Sequence, residues 1–182
     1  MRRVIAGNAA IAEATAEMKV EETFDNGWSR RFVNPVSGER WLETYMQSDS
    51  HGGGYQVLMR LPRPERADWL DLVAHSSYPA EIWVAAMALG EDPESYDDLL
   101  SVLIEAARRA EWQRVGIAAT WSGITSPMNR RSILGKAAAE VASEAEQFER
   151  PAAEASNLLS RAKEMLGTPF YETIGWVDAP HA

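Results

Sequence analysis

His51-Gly52-Gly53-Gly54 is the sharpest chemical motif in the chain. A loop of this kind can offer backbone N–H groups to an oxyanion, the acyl-transfer chemistry of serine esterases. That chemistry also needs a Gly-x-Ser-x-Gly elbow followed by an acid and a histidine. Around Ser122 the chain reads Ala119-Thr120-Trp121-Ser122-Gly123, which lacks the first glycine. The motif therefore reads as a flexible binding loop or a wide turn between strands, with a hydrolase using His51 as the lesser alternative. The three histidines, His51, His75 and His181, have no metal-ligand spacing, and cysteine is absent. No metal centre, disulfide or thiol chemistry is expected. Phosphate-loop and dinucleotide-turn glycine patterns are missing too, so no cofactor is expected.

Carboxylates are abundant and unevenly spread. The 182 residues carry 27 acidic and 18 basic side chains, a formal net charge of −9. Residues 1–62 hold 7 basic and 8 acidic groups, residues 111–182 hold 7 and 9, and residues 63–110 hold 4 and 10. Affinity for nucleic acid rests on cationic neutralisation of phosphates, so this balance argues against DNA or RNA. It fits either simple solubility or a basic protein partner. The densest run is Glu91, Asp92 and Glu94, followed by Asp97 and Asp98. Lying between two predicted helices, it should be exposed, as N-terminal helix charge or as a docking patch. A glycosidase-like pair among these groups, Glu21-Glu22 or Glu140/Glu144 is left open, because such pairs form across long chain distances.

The scaffold that must carry these groups is outlined by hydrophobic pattern. Residues 8–22 predict a helix, alanine-rich and with Ile11, Ala14 and Met18 on one side. Asp25-Asn26-Gly27 breaks it. Trp28 to Val33 and Trp41 to Met46, joined by Asn34-Pro35-Val36-Ser37-Gly38, predict a β-hairpin, and Tyr55 to Leu61 a third strand. Trp28, Phe32, Trp41, Tyr45 and Tyr55 crowd onto this short unit. Such density makes a small core, with one or two rings available to anchor an interface. A hairpin alone is marginal in water, so the sheet is expected to pack on helices.

After Pro62-Arg63-Pro64 the pattern turns helical. Helices are predicted over 65–76 (Trp69, Leu70 and Val73 inward) and 79–89 (Ile82, Ala85, Ala86 and Leu89 inward), the second stopped by Gly90. Two more run from about Pro93 to Ala110 and over 111–121. A fifth starts at Ser126-Pro127, and Pro151 either kinks it or starts a sixth carrying Leu158, Leu159 and Met165. The helices form three pairs of roughly 30–35 residues, the scale of helical-hairpin repeats. No motif recurs between pairs, so they make a bundle or a repeat-like stack. Phe170, Tyr171 and Trp176 suggest an apolar flap. The expectation is one α+β domain over 1–182, mostly helical, with a small N-terminal antiparallel sheet (27–61), a helical region (64–166) and a tail (167–182). No stretch approaches a membrane span, and Glu13 and Glu17 interrupt the only leader-like segment, so a cytoplasmic protein with no membrane partner is expected.

One stretch has a likeness. Trp28-x-x-Arg31-Phe32-x-x-Pro35-x-x-Gly38-x-x-Trp41, then Tyr45, His51-Gly52-Gly53-Gly54 and Leu61-Pro62-x-Pro64, resembles a group of bacterial immunity proteins. These are the small partners encoded beside contact-dependent or polymorphic toxins. In that group the aromatic strand unit and glycine loop lead into a helix like Trp69 to Ala74 and a second like Glu81 to Leu89. The likeness covers about residues 27–105. It implies a non-enzymatic protein that binds and blocks a cognate toxin, often a basic nuclease, and it carries over no binding residue. On the residues themselves the candidate partner-binding groups are Glu91, Asp92, Glu94, Asp97, Asp98, His51 and Tyr55. The rival readings are a helical-repeat adaptor and the His51 hydrolase.

Overall fold

The computed structural model describes residues 2–46, 54–126 and 135–167. The chain is α+β and mostly helical, with an antiparallel sheet in its N-terminal part. It divides into two compact units, with the boundary between Glu65 and Arg66.

The first unit holds β1 (Val4–Ala6), α1 (Asn8–Thr15), β2 (Lys19–Phe24), β3 (Ser29–Val33), β4 (Arg40–Met46) and β5 (Tyr55–Arg60). The five strands lie in the order β1-β5-β4-β3-β2, every neighbour antiparallel. Alternation puts Phe32, Trp41 and Leu58 on one face, where they form a core with Ile11 of α1, flanked by Ile5, Ala14 and Met18. The other face carries Val4, Leu42, Met46, Val57 and Met59, all buried. The β3–β4 connection shows why its residues were chosen. The Asn34 side-chain oxygen accepts from Val36 N and Ser37 N at 2.9 and 3.1 Å, and Gly38 takes φ 73°.

Two expectations for this unit are corrected. The helix predicted over 8–22 ends at Thr15, whose hydroxyl donates to Ile11 O at 2.8 Å. Residues 19–24 are instead an edge strand, paired as Val20↔Phe32 and Thr23↔Arg30. Val20, Thr23 and Phe24 favour a pleated surface, and cross-strand pairing outweighs the helix signal of the alanines before them. β1 went unpredicted because three residues carry no period, and it exists only through its register with β5.

The second unit holds α2 (Arg66–His75), α3 (Pro79–Gly90), α4 (Tyr96–Arg108), α5 (Trp112–Trp121) and α6 (Ala138–Leu166), with a 3₁₀ turn at Pro93–Ser95. α2 packs on α3 and α4, α3 on α5, α4 on α5 and α6, and α5 on α6. First helices thus stack on first helices and second on second, the two-layer arrangement of helical hairpins. α3 lies deepest, with Glu81, Ile82, Val84, Ala85, Ala86, Met87 and Leu89 all buried.

Gly90 has a different reason from the one its position suggests. Its φ is not positive, so it is no left-handed stop. A Cβ there would stand 2.0 Å from the carbonyl oxygen of Ser122, so only glycine lets α3 approach the end of α5. At the end of α4 the left-handed position is filled by Ala110, at φ 58°. Ala110 N donates to Ala107 O at 3.0 Å and Glu111 N to Ala106 O at 2.9 Å, a Schellman pair closing α4.

Two further points depart from the sequence. On α2 it is Leu72 and Val73 that are buried, while Trp69 and Leu70 are half-buried. No sixth helix begins at Pro151, because α6 runs through it from Ala138 to Leu166. The predicted start at Pro127 and the apolar tail residues Phe170, Tyr171 and Trp176 lie outside the described residues. Among the described residues no helix is long and apolar enough to cross a membrane.

Candidate functional site

The acidic segment of the second unit is laced by arginines from distant positions. Asp92 closes the 3₁₀ turn by accepting from Glu94 N at 3.2 Å, and its other oxygen meets Arg66 Nη2 at 2.6 Å. The same nitrogen donates to Glu94 at 3.1 Å. These hydrogen bonds, Glu94 first and then Asp92, raise the Arg66 guanidinium pKa further above its ordinary value. Asp97, in the first turn of α4, receives Arg150 of α6 at 2.7 Å. Glu91 and Asp92 are half-buried, whereas Glu94, Asp97 and Asp98 are exposed. Of these five carboxylates, Asp98 makes no ion pair among the described residues. The segment is therefore at the surface, with much of its charge already matched.

The sheet of the first unit builds a second cluster. On β4 the alternation that points Trp41 toward α1 puts Glu43 and Tyr45 on the same face. Glu43 is only 3% exposed. It is held by Arg30 of β3, whose Nε and Nη2 donate at 3.1, 2.8 and 2.9 Å, and by Gln56 of β5 at 2.9 Å. The Arg30 guanidinium also lies 5.3 Å from the centre of the Phe32 ring. Next to this network Trp28 meets Tyr45 edge-on, ring centres 5.0 Å apart and planes at 73°. Trp28 nonetheless remains 53% exposed. An exposed indole fixed by a neighbouring ring, beside a rigid charged network, is the make-up of an interface anchor.

No protein-family model matches the chain, no curated protein is significantly similar to it, and no solved structure matches its fold.

The fate of each sequence candidate follows from strand parity and packing. Tyr55 pairs with Met46, so it stands on the face opposite Tyr45 and does not join Trp28. Phe32 and Trp41 are spent in the core under α1. His51 lies outside the described residues. Arg30, Glu43 and Gln56 were not singled out by sequence reading. The signal was there for Glu43, since residues 41, 43 and 45 share a face in an alternating strand, but its partners come from β3 and β5. Among the described residues no group of three or more His, Cys, Asp or Glu could hold a metal ion. The second unit also has a groove of about 360 Å³ lined by Ser77, Ile82, Trp112 and Arg114 among others. Arg114 is occupied there, donating to Val73 O, Ser76 O and Glu111 at 2.7, 2.9 and 2.6 Å, so it ties α5 to the end of α2.

Proposed function

We propose that this protein works by binding another protein stoichiometrically, as an immunity protein that neutralises a cognate bacterial toxin, with no catalysis of its own. The observation that carries the reading is Trp28, exposed yet fixed against Tyr45 beside the Arg30–Glu43–Gln56 network. A few large rigid side chains supply most of the energy of an interface, and a side chain already held in place loses less freedom on binding. The resemblance over residues 27–105, which includes Trp28 and Tyr45, narrows the partner to a toxin domain. The acidic excess of residues 63–110 suits a basic partner and would steer its approach.

The test is capture from the native host with the tagged protein, followed by assay of the purified partner. The expected result is one basic protein with a toxin-like domain, its activity abolished at one-to-one stoichiometry. Recovery of metabolic enzymes alone, or inhibition that does not saturate near equivalence, would overturn the reading. A second reading, a helical-repeat adaptor, draws support from the stacking of α2 on α4 and α3 on α5. It calls for binding of extended peptides in place of a folded domain, and a peptide array separates the two.

A further inference from the structure

We propose that Trp28 receives a basic side chain of the partner, arginine or lysine, with Asp25 as its counter-charge; this rests on the protein-binding reading above. The turn that delivers Trp28 is unusual. Asp25, Asn26 and Gly27 take φ 52°, 54° and 93° in succession. Left-handed backbone costs an Asp or Asn on the order of 1 kcal/mol, so the chain sustains strain to make this corner. It closes with Trp28 N donating to Asp25 O at 3.0 Å, which holds Asp25 and Trp28 at the two ends of one turn.

The charges around the corner single out one carboxylate. Glu21 is taken by Arg40 at 3.0 Å and Glu22 by Arg31 at 2.7 Å. Arg30, the nearest cation along β3, is matched by Glu43. Asp25 is exposed and makes no ion pair among the described residues. Among the described residues, the charge left uncompensated in the turn that carries the exposed ring is thus an anion. An acidic partner group would be repelled there, and an apolar one would have to desolvate the carboxylate without compensation. A guanidinium or ammonium satisfies both neighbours, since the indole face attracts cations and the carboxylate pairs with them.

The experiment is a titration followed at the tryptophan indole N–H resonances, with the Trp28 signal assigned through Trp28→Phe. The probes are Ac-Gly-Arg-Gly-NH2 and its Lys, Gln and Glu counterparts, at salt of about 0.15 M to screen the general acidity of the surface. The Arg and Lys peptides should shift the Trp28 signal saturably, with affinity about two- to five-fold above the Gln peptide, the range a surface cation–π contact supports. Asp25→Asn should remove most of that preference. Asparagine tolerates the same left-handed backbone, so the turn survives the change. Equal response to Gln or Glu peptides, or an unchanged preference in Asp25→Asn, would overturn the proposal. The titration uses no partner protein, so it can fail while toxin capture succeeds, and capture can fail while the titration succeeds.

Discussion

Glu43 in the first unit and Asp92 in the second are both carboxylates held by an arginine at under 3 Å, yet they sit in opposite surroundings. Glu43 is buried in the middle of a sheet, with three donor groups arranged around it by strand register. Asp92 is half-exposed at a turn, and its arginine is exposed as well. Distance alone therefore says little about what either contact is worth. Out in water an ion pair exchanges one good solvent for another, whereas a buried carboxylate has only the partners the fold supplies. The first unit surrounds its buried carboxylate with charged and amide donors; the second pairs Asp92 and Glu94 at the surface, meets its own buried carboxylate, Glu81, with the Ser76 hydroxyl, and packs α3 closely on α5.

The largest expected effect lies at Arg30. Arg30→Ala leaves Glu43 with Gln56 as its remaining donor and should destabilise the fold by about 2–4 kcal/mol, discounted from a fully buried pair because Arg30 itself is partly exposed. Adding Glu43→Gln removes the stranded charge and should recover more than half of the loss. Urea denaturation of the single and double variants reads both numbers. An Arg30→Ala midpoint equal to the parent's would mean that Glu43 does not need its arginine, and the contrast between the units would go with it.

The second unit should break through its packing. Gly90→Ala forces a methyl group against the backbone of Ser122, which cannot yield as a flexible side chain would. A loss of about 1–3 kcal/mol is expected from such overpacking, measured in the same denaturation experiment. Gly90→Ser should be at least as damaging. Tolerance of both would show that α3 and α5 can part without cost.

How much of this was legible differs between the units for a physical reason. The helices announce themselves locally: Pro79 at a first turn, apolar residues every third or fourth position, acids early and arginines late in α4. The hairpin was equally readable, through Asn34 to Gly38. What sequence could not supply was register. β1 and β2 become strands only by lying beside β5 and β3, and residues 19–22 look helical until they are paired. The same holds for the candidate site. Crowded aromatics suggested an interface anchor, but only cross-strand geometry separates Trp28 and Tyr45 from Phe32, Trp41 and Tyr55. The acidic run was visible as composition, while its neutralisation was not, because Arg66 and Arg150 lie 26 and 53 residues from the acids they meet.

A smaller effect, of opposite sign, is expected at the end of α4. Ala110 occupies the left-handed position that glycine fills without strain. Ala110→Gly should therefore stabilise the protein by about 0.5–1 kcal/mol, net of the greater freedom glycine has in the unfolded chain. A lower denaturation midpoint would instead assign the Ala110 methyl group a packing role at the groove that it lines.

The smallest effect should come from Arg66, and its smallness is what the comparison requires. Its guanidinium stays charged at any working pH, held there by hydrogen bonds to Glu94 and Asp92, but all three groups are open to water. Arg66→Ala should leave the urea midpoint unmoved at both low and high salt. What it should change is the field. Unmasking Asp92 and Glu94 makes the surface more negative, so a basic partner should associate a few-fold faster at low ionic strength and at the parent rate once salt screens the charges. Asp98→Lys should do the reverse, since among the described residues Asp98 has no arginine to release. A clear loss of stability in Arg66→Ala would place this exposed pair alongside Glu43, and burial would then no longer decide which ion pairs in this protein hold the fold together.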